Sequence, residues 1–138
     1  MEIKQISVFL DNTAGRLGEV TRVLARAGIN IRAISIADTS DFGILRLIVN
    51  KWEEALKALK DAGFTTRVSD VAAVEIEDTP GSLAGVMEPF EKAKVNIEYL
   101  YASLEGRTGK AVVIFKLEDH QKGLQIIREK GIPLVESF

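Results

Sequence analysis

The segment DNTAGRLGEV, Asp11 to Val20, returns as EDTPGSLAGV at Glu77 to Val86, and much of the chain returns with it. Thr13 pairs with Thr79, Gly15 with Gly81, Leu17 with Leu83 and Val20 with Val86, each 66 residues apart. The same offset of 66 pairs Asn30 and Ile31 with Asn96 and Ile97, and Gly43 with Gly109. Further on the offset becomes 68, matching Leu56 with Leu124 and Gly63 with Gly131. Ordered identities with one small slip mark a duplication, and the period is too long for the common solenoids. The 138 residues therefore read as two small domains, 1–69 and 70–138, meeting near Ser69.

Within the first copy, KQISVFL alternates and reads as a strand. Leu17, Val20, Leu24 and Ala27 then recur at three- and four-residue steps, an amphipathic helix that Gly28 ends. NIRAISIAD and FGILRLIVN are β-branched runs around the turn TSD, a hairpin. Trp52, Leu56, Leu59 and Ala62 form a second helical stripe closed by Gly63, and FTTRVS supplies a last strand. The second copy repeats the order with AAVEIE, a helix through Leu83, Val86 and Phe90, NIEYLYASL, KAVVIFKL, a helix through Leu124 and Ile127, and PLVE.

This order is βαββαβ, which places two helices on one face of a four-stranded antiparallel sheet. The expected class is α+β, two ferredoxin-like units, each with its own four-stranded sheet. Ile6, Val8, Leu10, Ile34, Ile36, Leu45, Leu47 and Val49 are expected to face the helices of the first unit. The opposite face carries Phe9, Ile44, Ile48, Tyr99, Tyr101, Val112 and Ile114, more apolar surface than a bare sheet face tolerates. A unit of this size is also marginal alone. The copies are therefore expected to pack together as part of a homodimer.

Charge and composition narrow the function classes. The chain is 46% hydrophobic and 28% charged with a net charge of −2, and its basic residues are scattered, which disfavours nucleic acid. It has no cysteine, so thiolate metal sites and cysteine nucleophiles are excluded. No segment approaches the roughly 20 apolar residues that span a bilayer, and the N-terminal apolar run is too brief for a secretory signal. The expected compartment is the cytoplasm, with no membrane partner. The only histidine, His120, aligns with Trp52 at the start of a second helix, and no Ser/His/Asp set or metal-spaced cluster accompanies it. Neither an enzyme nor a cofactor is expected.

The repeated corner admits two readings. Asn12, Thr13, Asp78 and Thr79 are good helix-capping residues, and Gly15 and Gly81 permit a tight turn. Equally, a helix N-terminus leaves backbone N–H groups without partners, and a glycine there lets a carboxylate or phosphate approach. GRLG has the GxxG form of an RNA-clamping KH loop but follows a strand, and GRTGK at Gly106 to Lys110 lacks the ending of a phosphate-binding loop.

These residues resemble the ACT domain, a small amino-acid-binding regulatory module, in tandem over essentially the whole chain. The family's turn, [D/N]-x-P-G-x-L between strand and helix, is matched in full by DTPGSL, Asp78 to Leu83, and by NTAGRL, Asn12 to Leu17, with Ala14 in place of proline. Its G-[V/I]-N-I before the second strand is met by GINI, Gly28 to Ile31, and by KVNI, Lys94 to Ile97, where Lys94 replaces glycine. The resemblance implies an effector held between paired ACT domains. It assigns the polar corner position to Asn12 and Asp78, and the pre-strand asparagine to Asn30 and Asn96.

The amides around Gly15 to Leu17, or Gly81 to Leu83, would hold an amino acid's carboxylate, with Thr13, Thr79 and Ser82 beside them. Asn12 or Asp78 would accept from its ammonium group. Arg16, opposite Ser82 in the alignment, either strengthens carboxylate binding or is a solvated first-turn side chain. Asn30 and Asn96 either touch the ligand or only turn the chain into the strand. The implied function is a stand-alone amino-acid sensor that binds a free amino acid and acts on a separate enzyme of amino-acid metabolism. The alternative is a scaffold that has kept the form without a ligand.

Overall fold

A computed structural model describes residues 3–104 and 106–138. The chain is built from β1 (Ile3–Asp11), α1 (Arg16–Arg26), β2 (Ile31–Asp38), β3 (Phe42–Val49), α2 (Trp52–Asp61), β4 (Thr65–Glu77), α3 (Ser82–Lys92), β5 (Ile97–Ala102), β6 (Lys110–Leu117), α4 (His120–Glu129) and β7 (Leu134–Val135). Two compact units are built on Lys4–Ser69 and Asp70–Ser137. Each uses the ferredoxin-like strand order, β2-β3-β1-β4 in the first and β5-β6-β4-β7 in the second.

The expected pair of separate four-stranded sheets is corrected at β4. Its 13 residues, TTRVSDVAAVEIE, contain neither glycine nor proline, so nothing turns the chain at Ser69 and Asp70. The last strand of one repeat and the first of the next are a single strand. The ladders consequently join in one hydrogen-bonded path, β2-β3-β1-β4-β6-β5, with β7 also on β4.

The first unit buries Ile6, Val8 and Leu10 of β1 and Leu45, Leu47 and Val49 of β3 against Val20, Leu24, Ala55 and Leu59 of its helices. These are the alternate strand positions and helical stripes that the hydrophobic pattern selects. Ile34 is partly buried against the same core. Ile36 departs from expectation and is 49% exposed. It lies near the end of edge strand β2 over Gly43, which has no side chain to pack against it. The second unit buries Ala72, Val74, Val86, Phe90, Val113, Phe115 and Leu117 with Leu124 and Ile127, and the Phe90 and Phe115 rings meet at 5.9 Å. On the face away from the helices, Ile48, Tyr101, Val112 and Ile114 are buried, Ile44 and Tyr99 half-buried, and Phe9 exposed.

Candidate functional site

Each corner is a short link between a strand and a helix, and the two backbones match closely. Gly15 has φ 89° and ψ −15°, and Gly81 has φ 86° and ψ −9°. These left-handed values are strained for any residue with a Cβ, which explains the glycines. An added Cβ would meet nothing within 4 Å at either position, so close packing is not the reason for them.

Both glycines occupy the N-cap position, and among the described residues no side chain caps α1 or α3 there. The capping role open to Asn12, Thr13, Asp78 and Thr79 is therefore not the one they fill. Arg16 N donates to Thr13 O at 3.4 Å and Glu19 N to Gly15 O at 3.0 Å; Ser82 N and Gly85 N make the same bonds to Thr79 O and Gly81 O at 3.3 and 3.0 Å. The N–H groups between them, of Leu17 and Gly18 and of Leu83 and Ala84, belong to the first helical turn, which has no intrahelical acceptors to offer. Asn12, Thr13, Gly15 and Leu17 are exposed, as are Asp78, Thr79 and Gly81, while Arg16, Ser82 and Leu83 are half-buried.

The side chains differ more than the backbones. The Asn12 amide donates to Thr39 O and Ser40 O at 3.4 and 3.5 Å, tying the first corner to the β2–β3 turn. Its carbonyl oxygen stays available as an acceptor. Asp78 shares only the backbone link, donating its N–H to Gly109 O at 3.0 Å, and its carboxylate meets no partner among the described residues. Thr79 Oγ1 and Ser82 Oγ share a hydrogen bond of 2.8 Å. Arg16 turns away from the corner: its guanidinium pairs with Glu19 at 2.7 Å and lies 4.7 Å from the centre of the Phe64 ring.

The asparagines before the second strands lie elsewhere. Asn30 N donates to Asn50 Oδ1 at 3.0 Å and Asn50 N to Asn30 O at 3.2 Å, while Asn96 O accepts from Glu118 N at 3.0 Å. Asn30 precedes β2 and Asn12 is tied to the turn after it, so eight residues of strand separate them. At ~3.3 Å per residue that is roughly 26 Å. Asn96 and Asp78 stand apart in the same way, at opposite ends of β5. No single unit brings corner and pre-strand asparagine to one small ligand.

A feature that sequence reading missed adjoins the second corner. A groove of about 340 Å³ is lined by Glu75, Ile76 and Glu77 of β4, Ser82 and Val86 of α3, Lys110, and Gly131 to Pro133. On its rim Arg107 engages both carboxylate oxygens of Glu75, the Nε contact at 3.2 Å, and Lys110 pairs with Glu77. The hydrogen bond from Arg107 holds the Glu75 carboxyl below its ordinary range, against a smaller opposing effect of burial. The alternating Glu75 and Glu77 were the available signal. Among the described residues no group of three or more His, Cys, Asp or Glu side chains is placed to hold a metal. No helix of the described residues is long and apolar enough to cross a membrane.

Comparison with known proteins adds the following. The family profile described as an ACT domain pair matches residues 1–137. A crystallised protein of Bacteroides thetaiotaomicron is 40% identical, with a TM-score of 0.92 over 98% of this chain and 92% of that one. The regulatory subunit of aspartate kinase from Thermus thermophilus, crystallised ligand-free, has the same fold at 21% identity and TM-score 0.68, over 93% of this chain and 91% of that one. Its counterpart from Thermus flavus gives TM-score 0.64 at 21% identity, over 94% and 92% of the two chains. No curated protein matches the sequence.

Proposed function

The chain belongs to the ACT domain pair family, and on that premise we propose that it is a non-enzymatic, regulatory amino-acid sensor. In this reading a free amino acid binds at a corner, in a cleft between paired ACT domains of a homodimer. The signal passes to a separate cytoplasmic enzyme of amino-acid metabolism. The observation that carries the proposal is the pair of left-handed glycine corners, open to solvent and uncapped by any described side chain. Their free N–H groups suit a carboxylate, and the Asn12 carbonyl or Asp78 carboxylate suits an α-ammonium group. The separation of Asn12 from Asn30 favours a site completed by a second module, because one unit cannot present both to one small molecule. Binding would regulate only by favouring one arrangement of the modules over another.

A thermal-shift panel across the twenty amino acids tests this. A ligand at ~100 times its Kd stabilises by ~2.7 kcal/mol. For 138 residues unfolding together, that raises Tm by about 9 °C. Amide resonances of Gly15 and Gly81 should move with the ligand that shifts Tm. Silence across all twenty amino acids would defeat the proposal.

A further inference from the structure

One end of the first sheet is apolar where the same place in the second unit is ionic. In the first unit β1 and β3 set Phe9 opposite Ile44 and Asp11 opposite Phe42. In the second unit β4 and β6 set Glu75 opposite Val112 and Glu77 opposite Lys110. Glu75 and Glu77 follow Phe9 and Asp11 by the repeat offset of 66, so the rows correspond, with Lys110 in the place of Phe42. Directly opposed residues of an antiparallel ladder share a face, and the alternate positions Val8 and Leu10 of β1 are buried against the helices. Phe9, Asp11, Phe42 and Ile44 therefore project from the face away from the helices. Ala37 of β2 lies opposite Ile44 on the same face.

The second unit closes this place with its own charges: Lys110 pairs with Glu77, and Arg107 with Glu75. The first unit has the carboxylate and lacks the cation. Asp11 is exposed and meets no cation among the described residues. Arg46, one row further in on the same face, already has a partner. Around Asp11 the apolar side chains stand open, Phe42 at 60% and Phe9 at 38% exposure, with Ile44 half-buried and Ala37 exposed. Large apolar side chains gathered on one exposed face mark a contact surface, and phenylalanine is enriched at such contacts. A strand face is flat, unlike the concave sites that take small molecules.

Complementarity says what the contact is. A segment lying over these rows has to bring apolar side chains to Phe9, Phe42 and Ile44 and a cation to Asp11. The face of the Phe42 ring attracts the same cation. A second copy docked by this face does not meet the requirement. In a two-fold pair each patch must complement itself, and this one has an acid and no free base.

We propose that the face formed by Phe9, Asp11, Phe42 and Ile44 docks a separate protein, through an apolar segment that bears arginine or lysine. The β2–β3 turn that carries Phe42 is tied to the first corner by the Asn12 amide, so a protein docked here adjoins that corner. The docking itself requires no amino acid at either corner.

The experiment titrates the full chain with three end-blocked peptides, Leu-Arg-Leu-Arg, Leu-Glu-Leu-Glu and Ser-Arg-Ser-Arg, following the Ile44 methyl and Phe42 ring resonances. The first should move both. The other two should bind about tenfold more weakly or worse, as expected for losing a bond to a charged group or the burial of two leucines. Phe42→Lys gives the first unit what the second carries as Lys110; it should pair with Asp11 and abolish the Ile44 shifts. Asp11→Asn should bring the arginine and glutamate peptides to similar affinity even if Phe42→Lys folds poorly. Sedimentation separates a partner from a second copy. An oligomer that Phe42→Lys breaks would assign the face to a second copy and overturn the proposal, whereas an unaltered mass with the peptide shifts lost supports it. Resonances unmoved at about 10 mM Leu-Arg-Leu-Arg, a concentration that detects millimolar Kd, would also overturn it. So would equal binding of the glutamate peptide to the wild type, or Ile44 shifts that survive Phe42→Lys. The peptides report without any amino-acid effector, so this proposal and the sensor reading fail separately.

Discussion

Replacing Lys94 by glycine should stabilise the protein, and the size of the effect follows from one dihedral angle. Helix α3 ends with Lys94 N donating to Glu91 O at 3.1 Å and Val95 N to Phe90 O at 3.0 Å, the two bonds of a Schellman motif. That motif needs a left-handed residue at the position of Lys94, whose φ is 57° and which is the only described residue other than glycine with positive φ. The first unit makes the same closure with Gly28, at φ 72°. Holding an L-residue in the left-handed region costs about 1–2 kcal/mol. Glycine returns about 0.4–1 kcal/mol of that through the greater freedom of its unfolded chain. Lys94→Gly should therefore gain about 0.5–1 kcal/mol. At ~2.1 cal/mol/K per residue, cooperative unfolding of all 138 residues turns this into a rise in Tm of about 2–3 °C. The rise would be about twice that if Asp70–Ser137 unfolds alone. Differential scanning calorimetry reads either. The mirror variant Gly28→Lys should lower Tm comparably, because a Cβ there meets nothing within 4 Å and only the dihedral is strained. An equal gain from Lys94→Ala, or no gain from Lys94→Gly, would refute the reasoning.

Two further outcomes are expected. A Cβ built on Gly123 in α4 falls 2.1 Å from Leu117 Cδ1, and Leu117 is fully buried, so Gly123→Ala should cost about 1–3 kcal/mol by overpacking. Urea unfolding measures this, and adding Leu117→Val should recover part of the loss; a neutral Gly123→Ala would show that Leu117 turns aside freely. The Arg107 hydrogen bond lowers the folded-state pKa of Glu75 from 4.5, so its contribution is present above that value and disappears as pH falls through the lower folded value. The difference in urea midpoint between wild type and Arg107→Gln should therefore shrink as pH is lowered below the ordinary glutamate range, and a difference that stays constant throughout the acid titration would show that it arises elsewhere.

Local periodicity exposed most of this fold, and its lapses have physical causes. Val20 and Leu24 of α1, and Leu45 and Leu47 of β3, are buried where four- and two-residue spacing puts them, because burial of one helical stripe or one alternating strand face is what the pattern encodes. The union of two strands into β4 has no positive signature; it shows only as the lack of glycine and proline between Arg67 and Val74, where Ser69 and Asp70 alone would be compatible with a turn. Ile36 misled because period two gives a face but not whether anything covers its end. The corner residues were legible as a motif, yet their roles were not. Whether Asn12 caps a helix or ties a turn depends on where Thr39 and Ser40 come to rest, which is a long-range fact.

The two corners share a backbone, so recognition of a carboxylate by free N–H groups cannot by itself make one unit bind differently from the other. Discrimination has to come from the flanks, and there the repeats have diverged in charge. Asn12 has both amide N–H donors turned toward Thr39 O and Ser40 O, leaving a neutral carbonyl for a ligand. Asp78 offers a full carboxylate with no described partner. A bond to a charged acceptor is roughly twice as strong as a neutral one. On the proposed reading an α-ammonium group is therefore held more tightly at the second corner, and Asp78→Asn should narrow the gap while Asn12→Asp should not simply reverse it. The Asn12 variant gives up its amide donors and sets a carboxylate against two carbonyl oxygens, so its corner loosens as its charge improves. Comparing ligand-induced shifts at the Gly15 and Gly81 amides in both variants separates charge from tether. Equal behaviour of the two swaps would mean that neither side chain touches the ligand.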